Sequence, residues 1–443
     1  MKTTPKWLTR TAAIAALALA AGGLAACSSS NNTSSDAKTT INWWSWNPDD
    51  NQAKTYITAF EKEHPNITIK HRFIQFADYE NAVRLGASSG SGPDVFGLQV
   101  GTIANQLAPL TADLDAQAKK QIGSDYTDQL IATDQFKING KQIGLPWMIA
   151  GAGEIWYNKG TLDKAGISAP PKDLAEWQAD CTKIEALGQK CFVQGAKDDW
   201  VNLDVYQIIA NQINPGGFYK AIVGKSKFDS ADYIKAFDDW KALFDKGIIQ
   251  SGALATTQYP DANDMWLKGQ AAMIAFGNWN NSTMTTAALS GLASTYGDQV
   301  KSQTFVAAPF PDVVGGAKET GRLFGGPDVG WAISAKSKKQ DAAFTFVKWL
   351  TASKSGQTLM GATLEQPALK SVPVAKTGLV DASVQGPVLE EQSKQLANLI
   401  GPRQISNADV QTALQQALSS VASGQMSSKD AAKSVQAAID AAK

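Results

Sequence analysis

The 443-residue chain has only two histidines, His64 and His71, and three cysteines, Cys27, Cys181 and Cys191. So few imidazoles and thiols exclude the usual zinc ligand sets, and no metal and no cofactor is expected. There is no GxxxxGKS phosphate loop and no GxSxG nucleophile elbow. No stretch sets two carboxylates in an obvious catalytic arrangement, so no catalytic residue is assigned. Neither sign of charge prevails, because 41 Lys and Arg face 41 Asp and Glu. That balance leaves no electrostatic footprint for nucleic acid or for an anionic membrane face. Past the first 26 residues no apolar run approaches transmembrane length. No internal repeat is visible. What the chain does have in quantity is tryptophan, with 13 in all.

The amino terminus carries Lys2, Lys6 and Arg10 and no acid, followed by an apolar, Ala-rich segment from Thr11 to Leu24. That segment is too short for a permanent span and has the flanks of a signal peptide. It ends in Leu24-Ala25-Ala26-Cys27. Small residues before a cysteine resemble the lipobox of bacterial lipoproteins, in which Cys27 would be acylated and become the first mature residue. The alternative is an ordinary cleavage site beside a chance cysteine. Residues 1–26 are then a signal peptide. Residues 27–40, small and polar, form a flexible tether. The protein is expected on the outer face of the bacterial cytoplasmic membrane, held by lipid rather than by charge. The remaining length is too great for one compact core, so two domains are expected.

Thr40 to Trp46 and Ile67 to Phe73 read as strands rich in β-formers. Helical spacing fills Lys54 to His64 and Tyr79 to Ala87, and Val95 to Leu98 is a short buried strand. Strand–helix–strand–helix–strand with short joins predicts a parallel sheet covered by helices. Trp147 to Trp156 is uncharged until Glu154 and is broken by Gly151 and Gly153. Such a segment suits a crossing between lobes, where backbone angles change on closure. Helices are predicted over Asp173 to Leu187, Val201 to Ile213, Ala231 to Lys246, Tyr259 to Lys268 and Gln340 to Ser353. Two more follow over Val410 to Val421 and Ser428 to Ala442. The Ala271 to Phe276 run is a buried strand opening onto Gly277, Asn278, Trp279, Asn280 and Asn281. Gln303 to Phe310 is a strand expected to carry the chain back to the first lobe. Trp331 to Ala335 is another strand.

Several of these stretches, in order, resemble one family. INWWSW, then AFEKEHPNITIK, then GASSGSGPDVF look like the opening of the extracellular solute-binding proteins of carbohydrate ABC transporters. Asn139 to Pro146 resembles that family's "dGk.yglP", and Glu154 to Lys159 its "lyYNk". Ala165-Gly166-Ile167 with Pro170-Pro171 resembles "aGi..PP". LKGQAAMIAFGNW resembles "f..GkaAM.i.G.W", and Phe324-Gly325-Gly326 through Ser337 resembles "GG....ai...s". Where many members open a helix with TWdEl, this chain has Lys172 to Trp177, a difference confined to a helix edge. The resemblance implies a two-lobed, type II periplasmic-binding-protein-like α/β fold. Each lobe would be a mostly parallel sheet flanked by helices, and a hinge would join them. The expected division is 41–150 plus 306–352 for the first lobe and 151–305 plus 353–443 for the second. It also implies a monomer that meets a membrane permease and does no chemistry.

Sugars offer C–H faces and hydroxyl edges, which flat rings and side-chain donors and acceptors recognise. Several Trp stand beside Gly, Asn, Asp or Pro rather than in apolar runs: Trp46, Trp147 and Trp279. The resemblance places Trp279 at the family's sugar-stacking tryptophan. It points to the loop after the first strand, hence Trp46 and Asn47, with Asp49 in reserve. Asn278 and Asn280 flank Trp279 and can both donate and accept. Asp94 reaches a hydroxyl or merely caps a turn, and Asp328 is a hydroxyl acceptor or a surface turn. Glu154 is a ligand or an ion-pair partner. Trp43, Trp44, Trp156 and Trp349 read as core. Cys181 and Cys191 form either a short disulfide, permitted outside the membrane, or two reduced buried thiols.

The reading is therefore a lipid-anchored binding protein of an ABC importer that captures a mono- or oligosaccharide between its lobes. One alternative is a surface glycoside hydrolase. Another is the same fold binding a peptide or polyamine.

Overall fold

The computed structural model describes residues 38–89 and 91–443. The proposed signal peptide, the proposed acylation site Cys27 and nearly all of the proposed tether lie outside the described residues. Among the described residues no helix is long and apolar enough to cross a membrane.

Two sheets organise the chain, one in each of two lobes. The first has six strands in the order β12-β6-β11-β3-β1-β2. These are β1 (Thr39–Ser45), β2 (Ile67–Phe73), β3 (Val95–Leu98), β6 (Leu145–Ala152), β11 (Phe324–Ile333) and β12 (Gln366–Pro367). The second has four, β10-β7-β9-β8. They are β7 (Glu154–Asn158), β8 (Lys190–Val193), β9 (Ala271–Phe276) and β10 (Phe305–Pro309). A small hairpin of β4 (Lys137–Ile138) and β5 (Lys141–Gln142) stands apart.

The expectation of mostly parallel sheets is corrected. Only β1–β2, β1–β3 and β8–β9 pair in parallel. The pairs β3–β11, β11–β6, β6–β12, β7–β9 and β7–β10 are antiparallel. The reason is connectivity. Strand–helix–strand units build the parallel edges, whereas the chain's passages between lobes insert strands running the other way.

The first passage is a single residue, Gly153, between β6 and β7. Its φ is +129°, and a Cβ there would lie 2.8 Å from the Arg322 carbonyl oxygen. Only glycine meets both conditions without strain. The return passage comes later than the sequence suggests. The 303–310 strand belongs to the second sheet, where Phe305 to Pro309 pair with β7. The chain goes back through residues 310–323. Likewise Lys354–Ala362 packs beside the first lobe's helix Gln340–Ala352, and β12 pairs with β6, so the last passage follows residue 367 rather than 353. Periodicity finds strands but not their partners, which is why both boundaries moved.

Helices cover the sheets as their apolar spacing requires. Asp49 caps Asp50–Glu63 by accepting from the Asn51 and Gln52 amides, and Asp173 caps Leu174–Glu185 through the Glu176 amide. Helices Asp199–Ile213 and Ala231–Asp245 pack with Ala408–Ala422 and Ser428–Ala441 in the second lobe. Trp43, Trp44, Trp156 and Trp349 are buried, as their neighbours suggested. Cys181 and Cys191 are joined as a disulfide, which ties that helix to β8.

Candidate functional site

The β9 strand is wholly buried and ends at Gly277. A Cβ at Gly277 would lie 2.1 Å from the Trp279 ring and 2.2 Å from the Gly151 carbonyl. The Gly-x-Trp spacing thus has a steric cause. The indole's six-membered ring occupies the space a side chain at Gly277 would take, beside the strand that leads to Gly153. Trp279 itself is half-buried and packs against three separate apolar clusters, from both lobes. Asn278 is buried and accepts from the Gly151 amide at 2.6 Å, which pins this loop to the passage between lobes.

Around Trp279 lies a group of side chains from distant parts of the chain. Its Nε1 donates to the Tyr259 hydroxyl at 3.3 Å. The Trp200 ring stands edge-on 6.2 Å away and stacks at 6.0 Å with Tyr259. The Arg403 guanidinium sits over the Trp279 face at 4.2 Å, within cation–π range. Arg403 is buried and clasped by two carboxylates. Its Nε and Nη2 donate to Asp204 at 2.9 to 3.1 Å. Its Nη1 donates to Asp328 at 2.9 Å. Asp328 also receives Gln99 Nε2 at 2.6 Å. Burial pushes the Asp204 carboxyl above the usual range while the guanidinium draws it back. The guanidinium makes three N–H contacts with that carboxyl.

This group joins the lobes. Asp328 and Gln99 belong to the first lobe, on β11 and just past β3. Asp204, Trp200, Tyr259 and Trp279 belong to the second. Phe76 of the first lobe meets Trp200 of the second at 6.3 Å, and Trp46 packs on Phe76 at 5.6 Å. Trp46, Gln99 and Asp328 lie at the carboxyl end of the parallel strands, where open α/β sheets bind their ligands.

The predicted residues thus divide. Trp46, Trp279 and Asp328 share this cluster. Asn47 lies beside it in the turn after β1 and donates to Met148 Sδ at 3.8 Å. Trp147 is corrected to core, since it is 1% exposed and packs on Tyr56 and Trp331. Asp94 is also corrected. It sits at the opposite end of β3, where it accepts from the Asn42 amide, Ser337 Oγ and Lys339 Nζ. Asn278 and Asn280 are structural: the first holds Gly151, and Asn280 Nδ2 turns back to Thr283. Asn281, beyond them, donates to the Leu364 carbonyl and to Gln392.

Glu154 makes no ion pair among the described residues. Gln392 Nε2 donates to both its oxygens at 2.9 and 3.0 Å, and burial raises its pKa to about 8. Glu365 is a second buried carboxyl with a pKa of about 8, raised first by burial and further by the charges of Asp328 and Asp49.

Six members of the cluster escaped sequence reasoning: Phe76, Gln99, Trp200, Asp204, Tyr259 and Arg403. Trp200 had a signal. It follows Asp198-Asp199 at a helix start, the same polar setting that marked Trp46. Arg403 had none. It lies in an irregular link between two helices, and only the tertiary fold brings it to Trp279.

A two-lobed α/β frame with an aromatic and polar cluster between the lobes defines a ligand-capturing protein. The profile of the bacterial extracellular solute-binding protein family matches residues 44–357. The chain belongs to that family. It is 26% identical over 365 residues to the galactooligosaccharide-binding protein of Bacillus subtilis, covering 79% of this chain and 78% of that one. It is 24% identical over 378 residues to the multiple sugar-binding protein of Streptococcus mutans, covering 83% and 84%. Against binding proteins of Brucella abortus and Brucella suis it spans only about half their length, at 25% identity over 217 residues. Among solved structures it resembles an ABC substrate-binding protein from Listeria monocytogenes in complex with cycloalternan. That likeness has a TM-score of 0.69 at 21% identity and covers 91% of this chain and 99% of that one. Maltose-bound T. maritima MalE3 gives 0.68 at 20% identity, covering 91% and 100%.

Proposed function

We propose that this protein is the extracellular substrate-binding component of an ABC importer and captures a mono- or oligosaccharide between its lobes. The observation that carries the reading is Trp279. It is a half-buried indole beside Gly277, at the meeting of both lobes, with the Arg403 guanidinium over its face and the Tyr259 hydroxyl at its Nε1. A cluster of aromatic rings interleaved with fixed donors and acceptors suits a sugar ring. The relatives named for galactooligosaccharides and multiple sugars support the same ligand class. Trp46, Asn47, Trp279 and Asp328 are the residues proposed to touch it, with Trp200, Tyr259, Gln99 and Arg403 added.

Function is binding without bond making. Ligand contacts both lobes and stabilises the closed state by its differential affinity for that state. The closed form then meets a membrane permease. Acylation of Cys27 on a flexible tether would keep the protein near that permease and raise the encounter rate. The lobes proposed to move are 38–152 with 324–367, and 154–309 with 382–443.

A thermal-shift and calorimetric screen over neutral mono- and oligosaccharides, peptides and polyamines tests this, because only a ligand of the native state raises the melting temperature. Trp279→Ala is expected to lower saccharide affinity about five- to hundredfold, from lost ring contact worth roughly 1–3 kcal/mol. Unchanged affinity in that variant, or a shift by peptides alone, would refute the reading. New reducing ends on incubation with oligosaccharides would point instead to a hydrolase.

A further inference from the structure

An arginine in a sugar cleft could recruit an anionic group, such as the carboxylate of a uronic acid. Arg403 is placed to do the opposite. Its Nε and Nη2 edge is taken by Asp204 and its Nη1 by Asp328. Its flat face lies on Trp279 at 4.2 Å, with Trp200 at 5.3 Å. One positive charge is thus shared by two carboxylates, both buried with it. Behind them Glu365 is 2% exposed and feels the charges of Asp328 and Asp49. The cluster holds no surplus positive charge to offer.

Resting on the saccharide reading above, we infer that this cleft admits neutral and basic saccharides and rejects acidic ones, with Asp204 and Asp328 as the residues that set the exclusion. A ligand carboxylate entering beside Trp279 would lose its water and meet a guanidinium already matched by two carboxylates rather than a free cation. With one guanidinium against two carboxylates the cluster carries a net excess of one negative charge, and such an excess roughly 6 Å from a ligand carboxylate at an effective dielectric of about 20 repels it enough for a discrimination approaching about hundredfold, of which solvent access leaves at least about tenfold. Arg403 keeps further N–H groups, and Asp328 a second oxygen, that can serve hydroxyls or a protonated amino group. An amino sugar would relieve the acidic surplus rather than add to it.

The test uses matched ligands on the intact protein. Galactobiose, cellobiose and maltotriose are each compared with the oligouronate of the same linkage, which bears a carboxylate on every ring. N,N′-diacetylchitobiose is compared with its deacetylated, cationic form. Calorimetry should show the neutral member of the binding pair at least about tenfold tighter than its uronate. The gap should narrow at high salt and in Asp328→Asn, which removes one of the two carboxylates. Equal or tighter binding of the uronate would overturn the charge inference while leaving the saccharide reading intact. A gap indifferent to both salt and Asp328→Asn would overturn it too. Failure of every neutral sugar to bind would remove the saccharide reading and this inference with it. Should Asp328→Asn fold poorly, the ratio and its salt dependence in the unaltered protein decide the matter.

Discussion

Asp328→Asn probes how the lobes are held together. The pair between Asp328 Oδ1 and Arg403 Nη1 measures 2.9 Å, and each side chain is about a tenth exposed. Removing one partner of a buried ion pair costs about 3–5 kcal/mol when the other charge is left stranded. Here the loss is smaller for two reasons. Asparagine keeps an oxygen that accepts from Gln99 and Arg403, and Arg403 keeps its bidentate contact with Asp204. What remains is the difference between a charged and a neutral acceptor, about 1–1.5 kcal/mol. Because Asp328 stands in the first lobe and Arg403 is anchored to the second, that cost falls on the closed form. In the open form water satisfies the exposed groups. The closed-to-open ratio should therefore drop about five- to tenfold, and apparent saccharide affinity should fall with it. Small-angle scattering of the ligand-free and saturated protein reads the first quantity, and calorimetry the second. Asp204→Asn is the contrasting variant. Its partner lies in the same lobe, so it should lower the melting temperature more than it opens the cleft. Should Asp328→Asn match the unaltered protein in both scattering and affinity, the interlobe pair does not contribute to closure.

Gly277→Ala should abolish ligand binding without removing any polar group, because its Cβ would collide with the Trp279 ring and the Gly151 carbonyl; titration of a bound saccharide checks this. Glu154 has a folded pKa raised from 4.5 to about 8, so the folded state holds a proton that the unfolded chain releases. Its contribution to stability is full below about 4.5 and is lost as pH rises through about 8, and Glu154→Gln should flatten that decline in melting temperature across the same window. Opening the Cys181–Cys191 disulfide, which closes a loop of separation 10, should cost about 3 kcal/mol of unfolding free energy, read by denaturant titration with and without reductant.

Much of the scaffold was legible because it rests on local rules. The apolar run from Ala271 to Phe276 is a strand since six consecutive buried residues suit one, and it is buried throughout. Asp173 marked a helix start because its carboxylate accepts from the Glu176 amide, an interaction between near neighbours. Trp279 was legible through its neighbours too, since glycine two residues before an indole leaves room for the ring. Trp147 looked equally exposed to function beside Pro146 and Gly151, but nothing local shows which face of β6 meets the core. That face packs on Tyr56 and Trp331, so the indole is sealed. Asp94 failed for a related reason. Sequence shows that a carboxylate flanks β3 but not that the binding edge lies at the other end of the strand.

The amino-acid order by itself determined the elements, the glycine that makes room for the Trp279 ring, the two-lobed class and the family. Each depends on contacts a few residues apart or on patterns repeated along the chain. Only the tertiary structure decided which strands partner which, where the chain passes between lobes, and that Arg403 stands on Trp279 between Asp204 and Asp328. Those residues are separated by 75 to 199 positions. Electrostatic and ring contacts depend on distance in space, and no local propensity encodes a meeting of that kind.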